Sequence, residues 1–213
     1  MIDESIADPD QGARRELLEA LALAFRDNPM NVAIHGSSPG RRLRANRAGL
    51  RALVLDSAAG AMTRVIRHDG KVIGGFVVVP PGGFPLPSPS IGRQIGCLLA
   101  QGGRAMERWS AITNSLGQFH PGEICWYLAV LGIMPGQQGH GFGNRLLDEL
   151  LRIIESDPCP VYLEADREQS VHFYLARGFE TRDETVLQGV RCWCLGRGFA
   201  GADRDLCDSV RQD

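Results

Sequence analysis

Gln137-Gln138-Gly139-His140-Gly141-Phe142-Gly143-Asn144 lies between an apolar run and an amphipathic one, and its reading decides the fold. Upstream, Trp126 to Met134 is almost wholly apolar and ends at Pro135-Gly136, as a buried strand entering a turn does. Downstream, Phe142, Leu146, Leu147, Leu150, Leu151 and Ile154 fall on one helical stripe, with Arg145, Asp148, Glu149 and Arg152 opposite. Alternating glycines therefore stand where a helix begins. The start of a helix offers unpaired backbone N–H groups and the positive end of a dipole, which together attract anions such as phosphate. Glycines let the backbone approach such an anion without a Cβ in the way. The stretch reads as a phosphate cradle; its plainer alternative is a glycine-rich turn with no ligand.

Two familiar cradles do not fit. A P-loop ends in Gly-Lys-Ser/Thr, whereas Gly143 is followed by Asn144 and Arg145. The dinucleotide fingerprint needs a third glycine where this chain has Asn144 and Leu146. The pattern Gln138-x-x-Gly141-x-Gly143 instead resembles the pyrophosphate-binding motif of the GNAT acetyltransferase superfamily, which holds coenzyme A. Further on, Pro160 to Ala165 is a short apolar strand, and Asp166 with Gln169 three residues later has the form of a capping box. A helix through Val171, Phe173, Tyr174 and Leu175 then stops at Gly178, and Phe179 opens another strand. The run from Tyr162 to Phe179 resembles the second half of the same superfamily's domain, and the two motifs together cover roughly residues 120 to 185.

The chain has 213 residues, 44% apolar and 23% charged, with a net charge of −2. That is enough chain for a single domain with its own core over 1–213. The charge disfavours nucleic acid as partner, and no apolar run approaches the ~20 residues of a membrane span. Six irregularly spaced cysteines and an acidic, polar start without a leader predict a cytoplasmic protein with free thiols. Cys192-x-Cys194 has no second cluster to complete a zinc site, so no metal is expected. Residues 1–12 and 198–213 read as mobile ends.

Ala13 to Arg26 predicts a first helix, which Asn28-Pro29 breaks, and Arg41 to Asp56 a second. The arginines at 41, 42, 44, 47 and 51 either grip an anion or form a solvated face. Ala61 to Arg67 and Lys71 to Val79 flank His68-Asp69-Gly70, a hairpin signal. Pro80 to Pro89 is a proline-rich loop, while glycines leave Ile91 to Met106 ambiguous. Gln188 to Leu195 reads as the last strand. The expected class is α+β, with a mixed sheet and helices on both faces. The resemblance implies that this sheet is mostly antiparallel, with a splayed parallel pair in the middle.

It also implies chemistry: acetyl transfer from acetyl-coenzyme A to a primary amine of a small molecule, by direct attack. The backbone of Gln138, Gly139, His140, Gly141, Phe142, Gly143 and Asn144 would hold the pyrophosphate. Leu131, Gly132 and Ile133 would pair with the pantetheine arm and supply the oxyanion donor. Tyr174 matches the tyrosine that protonates the departing thiolate. Ser170 stands where many relatives carry Asn against the carrier, a departure from the pattern. For the base, Glu123 at the mouth of the central strand comes first and His120 second. The context of His120-Pro121 and Trp126-Tyr127-Leu128 resembles the branch that contains puromycin acetyltransferase. Cys125 lies on the same strand, but a free Cys in an apolar strand behaves as a small hydrophobe. A protein or peptide acceptor and a non-catalytic acyl-coenzyme A-binding module are the competing readings. The acceptor groove is expected from the first helices and residues 80 to 119, in a monomer or homodimer.

Overall fold

Two strands joined by Asp69-Gly70 show how local sequence sets the frame. Both turn residues take left-handed backbone angles (φ 50° and 74°), as a two-residue turn matched to the strand twist requires. They join β2 (Met62–His68) to β3 (Lys71–Val79). The same device, Gln188-Gly189 (φ 51° and 76°), joins β6 (Glu180–Leu187) to β7 (Val190–Arg197). Gln188 is thus a turn residue, not the first of the last strand. The computed structural model describes residues 4–56, 60–155 and 159–199. Most of the expected C-terminal tail lies outside them.

The sheet has seven strands in the order β1-β2-β3-β4-β5-β7-β6, where β1 is Glu4–Ala7, β4 Trp126–Ile133 and β5 Val161–Ala165. Every neighbouring pair is antiparallel except β4 and β5. The short β1 was not expected in the acidic start; it adds to the free edge of β2, with Ile6 opposite Ile66.

Helices cover both faces. On one, α6 (Phe142–Glu155) and α7 (Glu168–Leu175) pack Leu146, Leu147, Val171 and Tyr174 with Ile66, Phe76, Val78 and Leu128. On the other, Leu17, Leu18 and Leu21 of α1 (Gln11–Ala24) and Val54 of α3 (Pro39–Leu55) pack with Val65, Val77 and Val130. This also settles much of the arginine-rich face of α3. Arg42 is buried and clamps the carbonyls of Arg26 and Gly36 and the Asp27 carboxylate, and Arg47 pairs with Glu19.

Two irregularities position the site. Val78 opposes Leu128 while Val77 opposes Val130, so Ala129 is an extra residue in β4. Such a bulge flips the side-chain alternation and bends the strand; Leu128 accordingly faces α6, and Val130 faces α1. Furthermore, β4 and β5 pair only at Trp126–Val161 and Tyr127–Tyr162. Beyond that they diverge and leave one edge of β4 open.

A helix that sequence reading missed, α2 (Pro29–His35), begins at the proline that breaks α1. Asp166 holds it, accepting from Met30 N at 2.9 Å and from Asn28 Nδ2 at 3.0 Å. Asp166 therefore does not cap α7, whose N-cap is Arg167 without a side-chain hydrogen bond. The ambiguous segment resolves into α4 (Ile91–Gln101) and α5 (Gly103–Gly117), parted at Gly102 with φ 85°.

Candidate active site

The glycine stretch forms an open loop onto α6. Gly139 and Gly141 both have φ 82°, and a Cβ built at either would meet nothing within 4 Å. Positive φ is what glycine supplies here, and the space beside both residues is free. The first backbone bond into α6 runs from Arg145 N to Gly141 O at 3.2 Å. The N–H groups of Phe142, Gly143 and Asn144 therefore precede the helical ladder and have no intrahelical acceptor. Phe142 is buried and anchors the turn, its ring 5.1 Å from that of His68. His140 is exposed. The cation of this first turn, Arg145, is paired with Glu4, so an anion here would be met by backbone donors and the dipole.

The loop is tied to the open edge of β4. Gln138 donates its side-chain amide to Ile133 O at 2.8 Å, so that side chain is a brace rather than a free ligand group. Met134 N bonds to Ile73 O at 2.8 Å. By strand alternation Gly132 also points its backbone at β3, while Leu131 and Ile133 point theirs at the splay. The free groups on that edge are the N–H and C=O of Leu131 and the N–H of Ile133. The glycine at 132 serves packing instead, because a Cβ there would come within 3.0 Å of Leu21 Cδ2 on α1.

A cavity of about 1450 Å³ opens at the splay. Leu128 to Leu131 and Leu163 to Asp166 line its floor together with Ser170 and Tyr174 of α7. Residues of α2, α3, α4 and α5 and of the 86–90 loop form its walls, which is where an acceptor groove was expected. The Tyr174 ring lies edge-on to Phe173 and Phe179 at 5.1 and 5.4 Å between centroids. Burial pushes its hydroxyl above the ordinary tyrosine range, so it keeps its proton at neutral pH.

The same cavity floor carries a carboxylate that sequence reading passed over. Glu164 shares the strand face of the fully buried Tyr162. The Tyr127 and Tyr162 hydroxyls act to hold its pKa down, although the Tyr162 hydroxyl completes no hydrogen bond. Loss of solvent outweighs both influences and raises Glu164 to about 7. The one signal for it in sequence was a lone acid in an otherwise apolar strand.

The two expected bases are elsewhere. Glu123 is exposed and does not line the cavity. His120 also lies off the cavity. Its ring stacks on Phe84 at 3.8 Å, its Nδ1 is 2.9 Å from Pro121 O, and it lies 5.0 Å from the Tyr162 ring. Burial lowers its pKa. Cys125 is likewise off the cavity, and burial pushes its thiol up to about 11, which opposes a thiolate nucleophile. Cys97, Cys125, Cys192 and Cys194 are free thiols. Among the described residues no cluster of His, Cys, Asp or Glu could hold a metal ion, and no helix is long and apolar enough to cross a membrane.

Residues 28–179, from the start of α2 to the end of α7, match the acetyltransferase (GNAT) family. The chain belongs to that family. It is an enzyme of the N-acetyltransferase class, and its sheet is the GNAT sheet, with one parallel pair among antiparallel ones. Solved structures share this fold at low identity. A Corynebacterium glutamicum protein described as histone acetyltransferase HPA2 and related acetyltransferase superposes with a TM-score of 0.68 at 18% identity, covering 91% of this chain and 95% of its own. Drosophila melanogaster polyamine N-acetyltransferase, which forms N-acetylagmatine, gives 0.62 at 15%, covering 91% and 99%. The PaiA N-acetyltransferase of Thermoplasma acidophilum, solved with coenzyme A, gives 0.56 at 14%, covering 92% and 98%.

Proposed function

We propose that this GNAT enzyme transfers an acetyl group from acetyl-coenzyme A to a primary amine of a small molecule, with Glu164 as base and Tyr174 as acid. The observation that carries the reading is Glu164, held near a neutral pKa on the floor of a large cavity. That floor also presents Tyr174 and the open edge of β4. The coenzyme A complex of the PaiA relative and the polyamine acceptor of the Drosophila enzyme support the co-substrate and the acceptor class.

An alkylammonium has pKa ~10.4 and cannot attack until it loses a proton. Glu164, deprotonated above about 7, accepts that proton from an amine in the cavity. The nitrogen lone pair then adds to the thioester carbonyl carbon. Backbone N–H groups of Leu131 and Ile133 are positioned to receive the developing oxyanion. As the C–S bond breaks, Tyr174 gives its proton to the leaving sulfur; the second proton of the attacking nitrogen leaves to solvent as the amide forms, and solvent returns one to the tyrosine. Backbone donors of the 139–144 loop would hold the pyrophosphate, with Ser170 at the cavity edge. Thiol release with a panel of amines tests the reading. Release with peptides alone would move the acceptor to protein, and no release with either would end the proposal.

Gly141→Val should weaken acetyl-coenzyme A binding by at least about tenfold. A β-branched residue is strained at positive φ, and its side chain would fill the free space that the anion needs. Calorimetry on the folded variant checks this; unchanged affinity would remove the loop from the site.

A further inference from the structure

The acceptor cavity carries unmet polar groups at a distance from the reacting end, and together they specify a ligand chemistry. Asn31 and His35 stand one turn apart on α2 and line the cavity. They are only 7% and 4% exposed, yet Asn31 Oδ1 and His35 Nδ1 are buried without a hydrogen-bond partner. Buried polar atoms are rarely left unmet without a reason.

The roles of both atoms follow from their neighbours. Asn31 Nδ2 donates to Phe25 O at 2.9 Å, which makes Oδ1 the free acceptor. Trp109 Nε1 can only donate, and it donates to His35 Nε2 at 3.3 Å. Burial and the charges of Arg41 and Arg42 keep the imidazole neutral. Its one proton must therefore sit on Nδ1, a buried donor without a partner on a residue that lines the cavity. Gln101 on α4 adds a second unmet acceptor, since its Nε2 donates to Cys97 Sγ at 3.1 Å.

Resting on the acetyltransferase reading, we propose that Asn31 and His35 select amines that carry a neutral hydroxyl or carboxamide at the end remote from the reacting nitrogen. Such a group both donates to Asn31 Oδ1 and accepts from His35 Nδ1–H. A second ammonium satisfies the acceptor and leaves the imidazole N–H unmet. A carboxylate finds no free cation among the described residues that line the cavity, because Arg93 is paired with Asp56. The spacing comes from α2, whose Met30 N–H is held by Asp166, two residues beyond Glu164. Asn31 and His35 follow Met30 along α2, so at ~1.5 Å rise per residue they lie on the order of 1.5 and 7.5 Å further along the helix than that anchor. An aliphatic chain between the two ends of the amine meets apolar walls at Trp109, Met30 and Ile112.

The test compares aminohexanol, aminohexanamide, heptylamine, hexanediamine and aminohexanoate, each with its groups at the chain ends. Thiol release gives kcat/KM, and calorimetry gives binding to the protein without thioester. Aminohexanol or aminohexanamide should exceed heptylamine by at least about tenfold, because their terminal polar group meets two buried groups that heptylamine leaves unmet. In His35→Phe and Asn31→Leu that ratio should fall to about one. Heptylamine equal to the alcohol and the amide, or the diamine or the acid preferred, overturns the inference. So does a ratio that survives both variants. Thiol release without selectivity leaves acetyl transfer standing and ends this inference. Selective binding without thiol release does the reverse.

Discussion

Glu164→Gln should lower kcat/KM by about 10²- to 10⁴-fold, the usual worth of a general base, and remove the rise in rate that the parent shows through about pH 7. Glutamine keeps the shape, but it cannot take a proton. The same substitution should stabilise the protein at alkaline pH. Burial raises the folded-state pKa of Glu164 from 4.5 to about 7. Between those values the folded protein keeps a proton that the unfolded chain has lost, so stability from this group falls as pH rises. It is fully present below 4.5 and lost above about 7. The variant's melting temperature should therefore exceed the parent's at pH 8 and match it near pH 4. Loss of activity with a gain in stability is the expected mark of a strained functional group. A variant with the parent's rate and pH profile would refute the role. Glu123→Gln and His120→Gln are expected to keep the pH limb, since neither side chain lines the cavity.

Tyr174→Phe should cut turnover by about 10²- to 10⁴-fold while leaving acetyl-coenzyme A affinity close to the parent's. The ring contacts with Phe173 and Phe179 persist in Phe, so only the hydroxyl is removed. Because burial holds that hydroxyl protonated, the loss should be similar across neutral and mildly alkaline pH rather than confined to one limb. Single-turnover measurement of thiol release separates the chemical step from binding. Rates within twofold of the parent at every pH would make Tyr174 a core aromatic only.

Features written in contiguous residues were legible. Asp69-Gly70 announced its hairpin, the glycines from 139 to 143 their loop, and the stripe from Phe142 to Ile154 its helix. Each depends on backbone preferences or periodicity within a few residues. The features that failed were those completed by distant partners. Asp166 has the local form of a helix cap, yet two donors of α2 outcompete the chain next to it. Glu4 to Ala7 is polar and short, and becomes a strand only because β2 offers an open edge. Nothing in contiguous residues showed that Glu164, rather than Glu123 or His120, lines the cavity that forms around β4 and β5.

The sequence by itself determined the superfamily, the mixed sheet between helical layers and the glycine loop ahead of α6, because each rests on local conformation and short motifs. Only the tertiary structure decided which acid is buried. Glu164 acquires its raised pKa from the desolvation of its folded setting, which does not exist in an extended strand. The acceptor cavity is likewise a product of packing, since α2, α3, α4 and α5 meet over the splay that the bulge at Ala129 accompanies. Desolvation is a property of what surrounds a group, and the surroundings here come from segments more than a hundred residues apart along the chain.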